Sequence, residues 1–347
     1  MEKWLKDSDV FFEDFEDKFS LGYQIHKRPE AIIPAAKSCV IIGIDSMISD
    51  SIRRELYKTS YPFDNIYLAD LGNLVNHDPK YFIALLKGML SKNINVILLG
   101  LETSHIAVQL KSLQDYTGNI AFIEKAGDIF FSPEIQDIFF NRDHILKAKL
   151  IGYQTHLLNP DKLKHKMFNQ SLRLGKFRNN YREAEPVLRN VEWALFNMDS
   201  IRYSEVPGIK NTSPSGLTSE ESCQIMKYLG INNKTNIVNI YGYNPKYDFH
   251  GQGAMMVSQL IWYYLEGLEQ QIFDNVEDKK SINTYIVDLE DYNISLDFHQ
   301  SRKTGRWWVK IPVPGTGNHY VLPCSEDDYD KATKGELSYR LFSELGL

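Results

Sequence analysis

The stretch "WALFNMDSIRYSEVPG", from Trp193 to Gly208, begins with an apolar run and stops abruptly at Asn197, Met198 and Asp199. Successive side chains of a strand point to opposite faces, so a strand here directs Asn197 and Asp199 to the same side. An α/β protein holds a metal ion in such a place with a pair of carboxylates, but the first of this pair is an amide. The stretch therefore predicts a strand that ends at a site with one negative charge fewer than a metal-binding pair.

Similar apolar runs recur along the chain, separated by segments with helical periodicity. Their nearly continuous hydrophobicity indicates strands buried on both faces, as in a parallel sheet. The predicted strands are "CVIIGID" (39–45), "NIYLADL" (65–71), "NVILLGL" (95–101), "NIAFIEK" (119–125), "KLIGYQ" (149–154), "WALFNMD" (193–199) and "NIVNIYGY" (236–243).

Three segments between these strands have clear helical patterns. Residues 81–92 place their apolar side chains on one stripe, and residues 253–268 are apolar nearly all round, which predicts a buried helix. A third helix is predicted to begin at Thr218, which has Glu221 at capping-box spacing, and to end at Gly230. Alternating strands and helices predict an α/β fold, a three-layer αβα sandwich with a mostly parallel sheet.

The pattern changes after the polar segment "DNVEDKKS" (274–281), beyond which strand-like runs follow one another without crossover helices. We therefore predict an N-terminal extension at 1–36, a main α/β domain at 37–275 and a C-terminal extension at 276–347 that packs on the main domain.

Composition narrows the class of protein. The 347 residues are 43% hydrophobic and 24% charged, which is ordinary for a globular protein, and the net charge of −6 gives no reason to expect nucleic acid. No apolar run approaches the roughly 18 residues that span a bilayer, and the acidic, aromatic N-terminus is unlike a signal peptide. Three widely spaced cysteines without a CxxC pair fit reduced thiols. We expect a cytoplasmic protein.

The ligand-binding edge of an open α/β sheet lies at the carboxyl ends of its strands. Five segments there, in order and spacing, make the chain similar to the ureohydrolase superfamily, which includes arginase, agmatinase and formimidoylglutamase. They are "LADLGNL" (68–74), "LLGLETSH" (98–105), "FIEKAGD" (122–128), "FNMDSIRYSEVPGIKNTSPSGLTSEE" (196–221) and "YGYNPKYD" (241–248). The resemblance implies an arginase-like fold, and residues 282–347 resemble an extension that some bacterial arginase-like proteins carry.

The resemblance also implies a reaction centre. In active members these motifs bind two manganese ions, and the hydroxide that the ions share attacks a guanidino or formimino carbon. Two adjacent dications need several anionic oxygens and imidazoles to hold them. Only such a pair lowers the pKa of a water enough to supply hydroxide near neutral pH.

This chain departs from the family's pattern at most of the metal-ligand positions. Thr103 stands for the histidine of the motif Gly-Gly-Asp-His-Ser. In the motif Asp-Ala-His-x-Asp, Glu124 replaces the first carboxylate and Ala126 the histidine, while Asp128 is retained.

The remaining two motifs depart in the same direction. Asn197 replaces the first carboxylate of Asp-x-Asp, with Asp199 retained, and Gly242 replaces the glutamate before Asn-Pro. Uncompensated repulsion between two dications a few ångströms apart reaches several kcal/mol. We therefore predict a vestigial metal site and name no catalytic residue. No cofactor is expected, and the alternative is a single Mn²⁺, Mg²⁺ or Ca²⁺ held by the retained carboxylates.

Four more polar residues are predicted at the cleft, namely Glu102, His105, His156 and Asn244. His105 is a candidate substitute ligand, although a lone histidine at a strand end more often bonds to the surrounding structure. In the C-terminal extension, "SRKTGRWW" (301–308) admits two interpretations. It is a recognition patch for a partner, formed by Arg302, Arg306, Trp307 and Trp308, or a hairpin that packs its tryptophans on the main domain.

Two functions from different classes follow. The first is a non-catalytic relative of the ureohydrolases that binds a small molecule or a protein partner through the cleft or the extension. The second is a divergent hydrolase of the C–N bonds of linear amidines or guanidines, with one metal or none and with Glu124 or Asp128 as general base. We also consider a homo-oligomer, or a subunit that regulates an active paralogue. Neither nucleic acid nor a membrane is an expected partner.

Overall fold

Strands and helices alternate along most of the chain in the computed structural model, which describes residues 4–29, 37–76, 79–112, 118–140, 147–158, 170–207, 209, 213–313 and 317–347. The strands are β1 (Leu5–Lys6), β2 (His26–Lys27), β3 (Ser38–Gly43), β4 (Tyr67–Leu74), β5 (Asn95–Leu101), β6 (Asn119–Ile123), β7 (Lys147–Tyr153), β8 (Leu172–Arg173), β9 (Trp193–Asn197), β10 (Ile237–Tyr241), β11 (Ile282–Leu289), β12 (Ile294–Ser301), β13 (Trp307–Pro312) and β14 (His319–Cys324). The α-helices are α1 (Leu21–Gln24), α2 (Ser46–Leu56), α3 (Pro79–Leu90), α4 (Thr103–Ser112), α5 (Pro133–Phe140), α6 (Leu174–Asn179), α7 (Ala184–Leu188), α8 (Ser219–Ile231), α9 (Gln252–Glu269), α10 (Glu326–Ala332) and α11 (Tyr339–Leu345).

The first ten strands form one sheet, in the order β1-β4-β3-β5-β10-β9-β6-β7-β8, with β2 also paired to β4. Every described pairing is parallel except that of β1 with β4. The seven predicted central strands are all present, shifted by a few residues at their ends. The short strands β1, β2 and β8 were not predicted, and they lie at the two edges of the sheet.

Helices cover both faces of this sheet. One buried cluster joins the sheet to α2, α8 and α9, and a second joins its opposite face to α3, α4 and α5. The predicted α/β architecture of helix, sheet and helix layers is therefore confirmed. No helix within the described ranges is long and apolar enough to cross a membrane.

Helices α8 and α9 cross where two glycines meet. Helix α8 has the predicted capping box at Thr218 and Glu221, but it continues through Gly230 to Ile231, so the predicted end at Gly230 is wrong. A Cβ atom on Gly230 would lie 2.1 Å from the carbonyl oxygen of Tyr264 and 2.9 Å from the Cα of Gly267. This glycine is needed for close helix packing rather than for the end of a helix.

A buried arginine lies at the centre of a hydrogen-bond network that joins helix α2 to β4 and to the N-terminal segment. The Arg53 guanidinium, on α2, donates to both carboxylate oxygens of Asp70 at 2.8 and 2.9 Å and to Asp50 Oδ1 at 2.9 Å. It also donates to Asn73 Oδ1 at 2.6 Å, and Ser8 donates to Asp50 at 2.7 Å. Because Arg53 is fully buried, these carboxylates stabilise a charge that water cannot reach.

The C-terminal strands form a separate antiparallel sheet in the order β11-β12-β13-β14. The three strands predicted there are present, and β14 is an addition to them. This sheet contacts the main α/β region through Arg189, whose Nη1 donates to the carbonyl oxygen of Trp307 at 2.6 Å. The boundaries proposed for the N-terminal extension, main domain and C-terminal extension remain predictions. Strands β1 and β2, which lie within the proposed N-terminal extension, pair with β4 of the main sheet.

We expect Gly230→Ala to lower the free energy of unfolding by about 2–3 kcal/mol, because its new methyl group would overlap the backbone of α9. Gly88→Ala in α3 is the matched control, since a Cβ at that position meets nothing within 4 Å. The control should gain about 0.5–1 kcal/mol from helix propensity. Urea denaturation of both variants measures this, and equal stability of the two would contradict the close crossing.

Lys149 on β7 generates a prediction about pH. Burial above all, and then the nearby Arg340, lowers the pKa of its ammonium from 10.5 to about 7. Between these two values the unfolded chain carries the proton and the folded chain does not, so stability rises as the pH increases through this window. The unfavourable contribution of Lys149 is complete below about pH 7 and is gone above about pH 10.5.

We therefore expect Lys149→Met to raise the free energy of unfolding by about 1–3 kcal/mol at pH 6, and to raise it progressively less towards pH 10. Lys147→Met, at an exposed position of the same strand, is the control and should change both values far less, because Lys147 is only a minor cause of the lowered pKa of Lys149. Denaturation curves at pH 6, 8 and 10 decide the matter. A Lys149→Met variant less stable than the wild type at pH 6 would contradict the unfavourable contribution predicted for the buried Lys149 ammonium.

Candidate functional site

A cleft of about 440 Å³ opens at the carboxyl ends of four neighbouring strands, β5, β10, β9 and β6. The described residues that line it are Ile48, Leu101, Glu102, Thr103, Glu124, Asp128, Ile129, Asn197, Asp199, Tyr241, Gly242, Tyr243 and Asn244. All five residues predicted for the vestigial metal site are among them, as are Glu102 and Asn244. The sheet thus brings together predicted side chains that lie up to 142 residues apart along the chain, from Glu102 to Asn244.

Three of these side chains form a row across adjacent strands. Tyr241 at the end of β10 is paired with Asn197 at the end of β9, and Glu124 follows Ile123, which is the last paired residue of β6. Asn197 Nδ2 lies 3.3 Å from Glu124 Oε1, and the Tyr241 hydroxyl donates to the same carboxylate oxygen. One oxygen of Glu124 therefore accepts from two neutral donors.

The other oxygen of this carboxyl group, Glu124 Oε2, is buried and has no hydrogen-bond partner among the described residues. Burial is the main cause that raises the pKa of Glu124 to about 7; the hydrogen bonds from Tyr241 and Asn197 oppose this rise, and the nearby Asp128 adds to it. Burial also raises the pKa of Tyr241 well above 10, and the adjacent Glu124 raises it further. At neutral pH the phenol therefore keeps its proton and serves as a donor to Glu124.

Tyr241 is the site residue that the sequence did not reveal. Its pattern is that of an apolar strand residue, and its ring does belong to the same buried cluster as Phe122, Trp193 and Leu195. The available signal was its position near the end of the predicted strand 236–243; in the structure it is the last residue of β10 and is paired with Asn197. The hydroxyl extends from that buried ring to the cleft.

Asn197 is held in one orientation by its own loop. Its Oδ1 accepts the backbone N–H of Asp199 at 3.0 Å, which begins the 3₁₀ turn Met198–Ser200 and leaves the Nδ2 for Glu124. Gly242 has a φ of +84°, and a Cβ there would lie 2.4 Å from that same Oδ1. The amide at 197 and the glycine at 242 are therefore sterically coupled.

The remaining acidic side chains of the cleft are placed differently from Glu124. Asp199 is buried, whereas Asp128, Glu102 and the neighbouring Thr103 are exposed. Asn244 uses its Oδ1 to accept the backbone N–H of Lys246 at 2.9 Å, which caps the 3₁₀ turn Pro245–Tyr247. Its role at the rim of the cleft is thus partly structural.

The two predicted histidines are not among the described residues that line the cleft. The Nδ1 of His105 accepts the backbone N–H of Glu102 at 3.1 Å, at the beginning of α4. His156 lies exposed in the turn after β7. The expectation that either histidine is a cleft residue is corrected accordingly, and the structural interpretation of His105 is the one that its geometry favours.

Comparison with known proteins agrees with this geometry. A family model described as "Arginase family" matches residues 178–266. The chains of two solved structures superpose on most of their length: formimidoylglutamase from Bacillus subtilis (TM-score 0.62, 16% identity, 78% of this chain and 98% of that one) and agmatine ureohydrolase of Thermoplasma volcanium (0.53, 19%, 67% and 90%). No curated protein sequence matches the chain significantly.

These matches show that the chain has an arginase-like fold and that residues 178–266 are similar to the arginase family. At such low identities the structural similarity concerns the fold. A third similar structure is formiminoglutamase of Trypanosoma cruzi, solved with Mn²⁺ (TM-score 0.60, 13% identity, 70% of this chain and 97% of that one). It raises the question of whether this arginase-like cleft has a donor set suited to manganese.

The described side chains do not fit a pair of manganese ions. No group of three or more His, Cys, Asp and Glu residues within the described ranges is arranged to hold a metal ion. Asn197 contributes an amide, the described lining contains no imidazole, and Glu124 Oε1 already accepts two hydrogen bonds. Two adjacent dications require several anionic oxygens within 2.0–2.6 Å of each ion, and this arrangement does not supply them.

The C-terminal extension of this arginase-like chain shows which interpretation of "SRKTGRWW" holds. Trp307 and Trp308 are only 6% and 7% exposed, so their rings are largely covered by the rest of the protein. The Arg189 guanidinium lies 4.7 Å from the centre of the Trp308 ring. Arg306 forms an ion pair with Glu185 at 3.2 Å, and only Arg302 remains largely exposed. The expected recognition patch is thus corrected to a hairpin packed on the main α/β region.

Proposed function

We propose that this protein is a non-hydrolytic member of the ureohydrolase superfamily and that it binds a small organic cation in the arginase-like cleft without a manganese pair. The observation that carries the proposal is the chemistry of the cleft lining. Its described residues include four carboxylic acids, Glu102, Glu124, Asp128 and Asp199, and neither a basic side chain nor an imidazole. Such a lining attracts positive charge.

Organic and inorganic cations make different demands on those acids. A metal dication requires that several oxygens converge on one point, and no such group exists in the described part of the chain. An ammonium or amidinium group presents several N–H donors in separate directions, so it can bond to carboxylates distributed over a cleft. The dispersed acids of this cleft therefore suit a ligand with a spread positive charge.

A divergent hydrolase is the second candidate function. Glu124 lies at the floor of the cleft with one oxygen that has no partner among the described residues, which is a position suited to a general base. In that case a C–N bond of a linear amidine or guanidine is hydrolysed with one divalent ion or none. Metal content and turnover separate the two candidates.

We expect purified protein to contain no stoichiometric pair of manganese ions. With added Mn²⁺ it should release neither urea, ammonia nor formamide from arginine, agmatine, guanidinobutyrate or formimidoylglutamate. Elemental analysis and product assays measure this, with Glu124→Gln as the blank for any background release. Turnover together with two manganese ions per chain would overturn the proposal. Turnover with one divalent ion, or with none, would support the hydrolase.

Ligand binding is tested by thermal denaturation. Agmatine and other small organic cations, at millimolar concentration, should raise Tm by about 2 °C or more, whereas carboxylates of similar size should not. Glu124→Gln should remove the effect, because it removes a buried charge of the cleft. Asp297→Asn, in the C-terminal sheet, is the matched control and should retain it. A larger shift with anions than with cations would contradict the proposed ligand class.

A further inference from the structure

We propose that Tyr241 weakens the binding of divalent metal ions in this cleft, because its hydroxyl occupies Glu124 Oε1, the oxygen that faces Asn197, and leaves only Oε2 for an ion. The inference deepens the proposed function and rests on it. It concerns a residue outside the metal-ligand motifs, and it explains why the acids that remain do not act as a metal-ion site.

The hydroxyl of Tyr241 has no freedom to leave Glu124. Its side chain is 7% exposed and its ring lies in the apolar cluster between the sheet and helices α3 to α5. A phenol in such surroundings must find an acceptor, because a buried hydroxyl without a partner is strongly unfavourable. Glu124, which follows β6 in the same row of side chains, supplies that acceptor.

Glu124 depends on the same contact. Its side chain is 2% exposed, and its hydrogen-bonded oxygen has only Tyr241 and Asn197 as described side-chain donors. To coordinate a cation through this oxygen, Glu124 must give up the phenol hydrogen bond or share the oxygen. In the first case the buried Tyr241 hydroxyl loses its described acceptor, and in the second its proton lies close to the dication.

Asn197 reinforces the exclusion through its orientation. Because its Oδ1 is used by the backbone N–H of Asp199, it turns its amide hydrogens towards Glu124. A cation between residues 124 and 197 would meet N–H groups rather than a lone pair. Replacing Asn197 by aspartate places two carboxylates face to face, which is favourable only when a cation lies between them.

The test uses Mn²⁺ alone, titrated into the full chain and followed through the electron paramagnetic resonance signal of free Mn²⁺, with calorimetry for stoichiometry. Tyr241→Phe removes the hydroxyl and retains the ring. Tyr243→Phe is the matched control, since Tyr243 lines the same cleft but donates to Asp248 at 3.0 Å instead of Glu124. Circular dichroism and thermal melting establish that each variant is folded.

We expect the wild type and Tyr243→Phe to bind Mn²⁺ equally weakly, and Tyr241→Phe to bind one ion per chain at least about tenfold more tightly. Asn197→Asp alone should gain little, whereas Tyr241→Phe with Asn197→Asp should exceed Tyr241→Phe. Adding Glu124→Gln to Tyr241→Phe should abolish the gain, which locates the ion at Glu124. If Tyr241→Phe does not fold, Tyr241→Leu, which also lacks the hydroxyl, takes its place.

The outcomes separate the inference from the proposed function. Weak binding that is equal in the wild type and the hydroxyl-deficient variant would overturn the inference and leave the proposed function intact. A gain that survives Glu124→Gln would also overturn it. Tight binding of two ions by the wild type itself would overturn both.

Discussion

Parallel pairing of β6, β9 and β10 is the constraint on which the candidate site depends. Because parallel neighbours end at the same edge, Glu124, Asn197 and Tyr241 form a row whose spacing is set by the backbone hydrogen bonds of the sheet. A shift of one residue in any of the three strands would turn its side chain to the opposite face. The hydrogen bonds that Asn197 and Tyr241 donate to Glu124 therefore depend on strand register, and the cleft is built on the centre of the sheet.

Much of this arrangement was predictable from the sequence, and what was missed has identifiable causes. The central strands carry uninterrupted apolar runs such as "NVILLGL", buried on both faces. Such runs predict a strand without any knowledge of the neighbouring elements. The edge strands β1, β2 and β8 have two residues each, too few for any periodicity. Gly230 was misassigned because a sequence cannot distinguish a glycine that ends a helix from one that admits a second helix.

The same limit applies to the site. Asn197 and Ala126 stand where the resembled motifs have Asp and His, so the sequence alone leads to the prediction of a shortage of metal ligands, which stays a prediction. Tyr241 was not, because its ring satisfies the apolar pattern while only its hydroxyl atom reaches the cleft. Similarly, Trp307 and Trp308 are equally consistent with an exposed patch and with a buried hairpin until Arg189 is seen beside them. Long-range partners decide the role of amphipathic side chains.

The contact between Gly242 and Asn197 has a consequence for how such a cleft changes over generations. With the amide in place, any side chain at 242 collides with Asn197 Oδ1 and must also adopt a left-handed backbone conformation. Substitutions at the two positions are therefore expected to be epistatic, because a side chain at 242 requires Asn197 to change its orientation. The order in which these two positions can change is restricted accordingly.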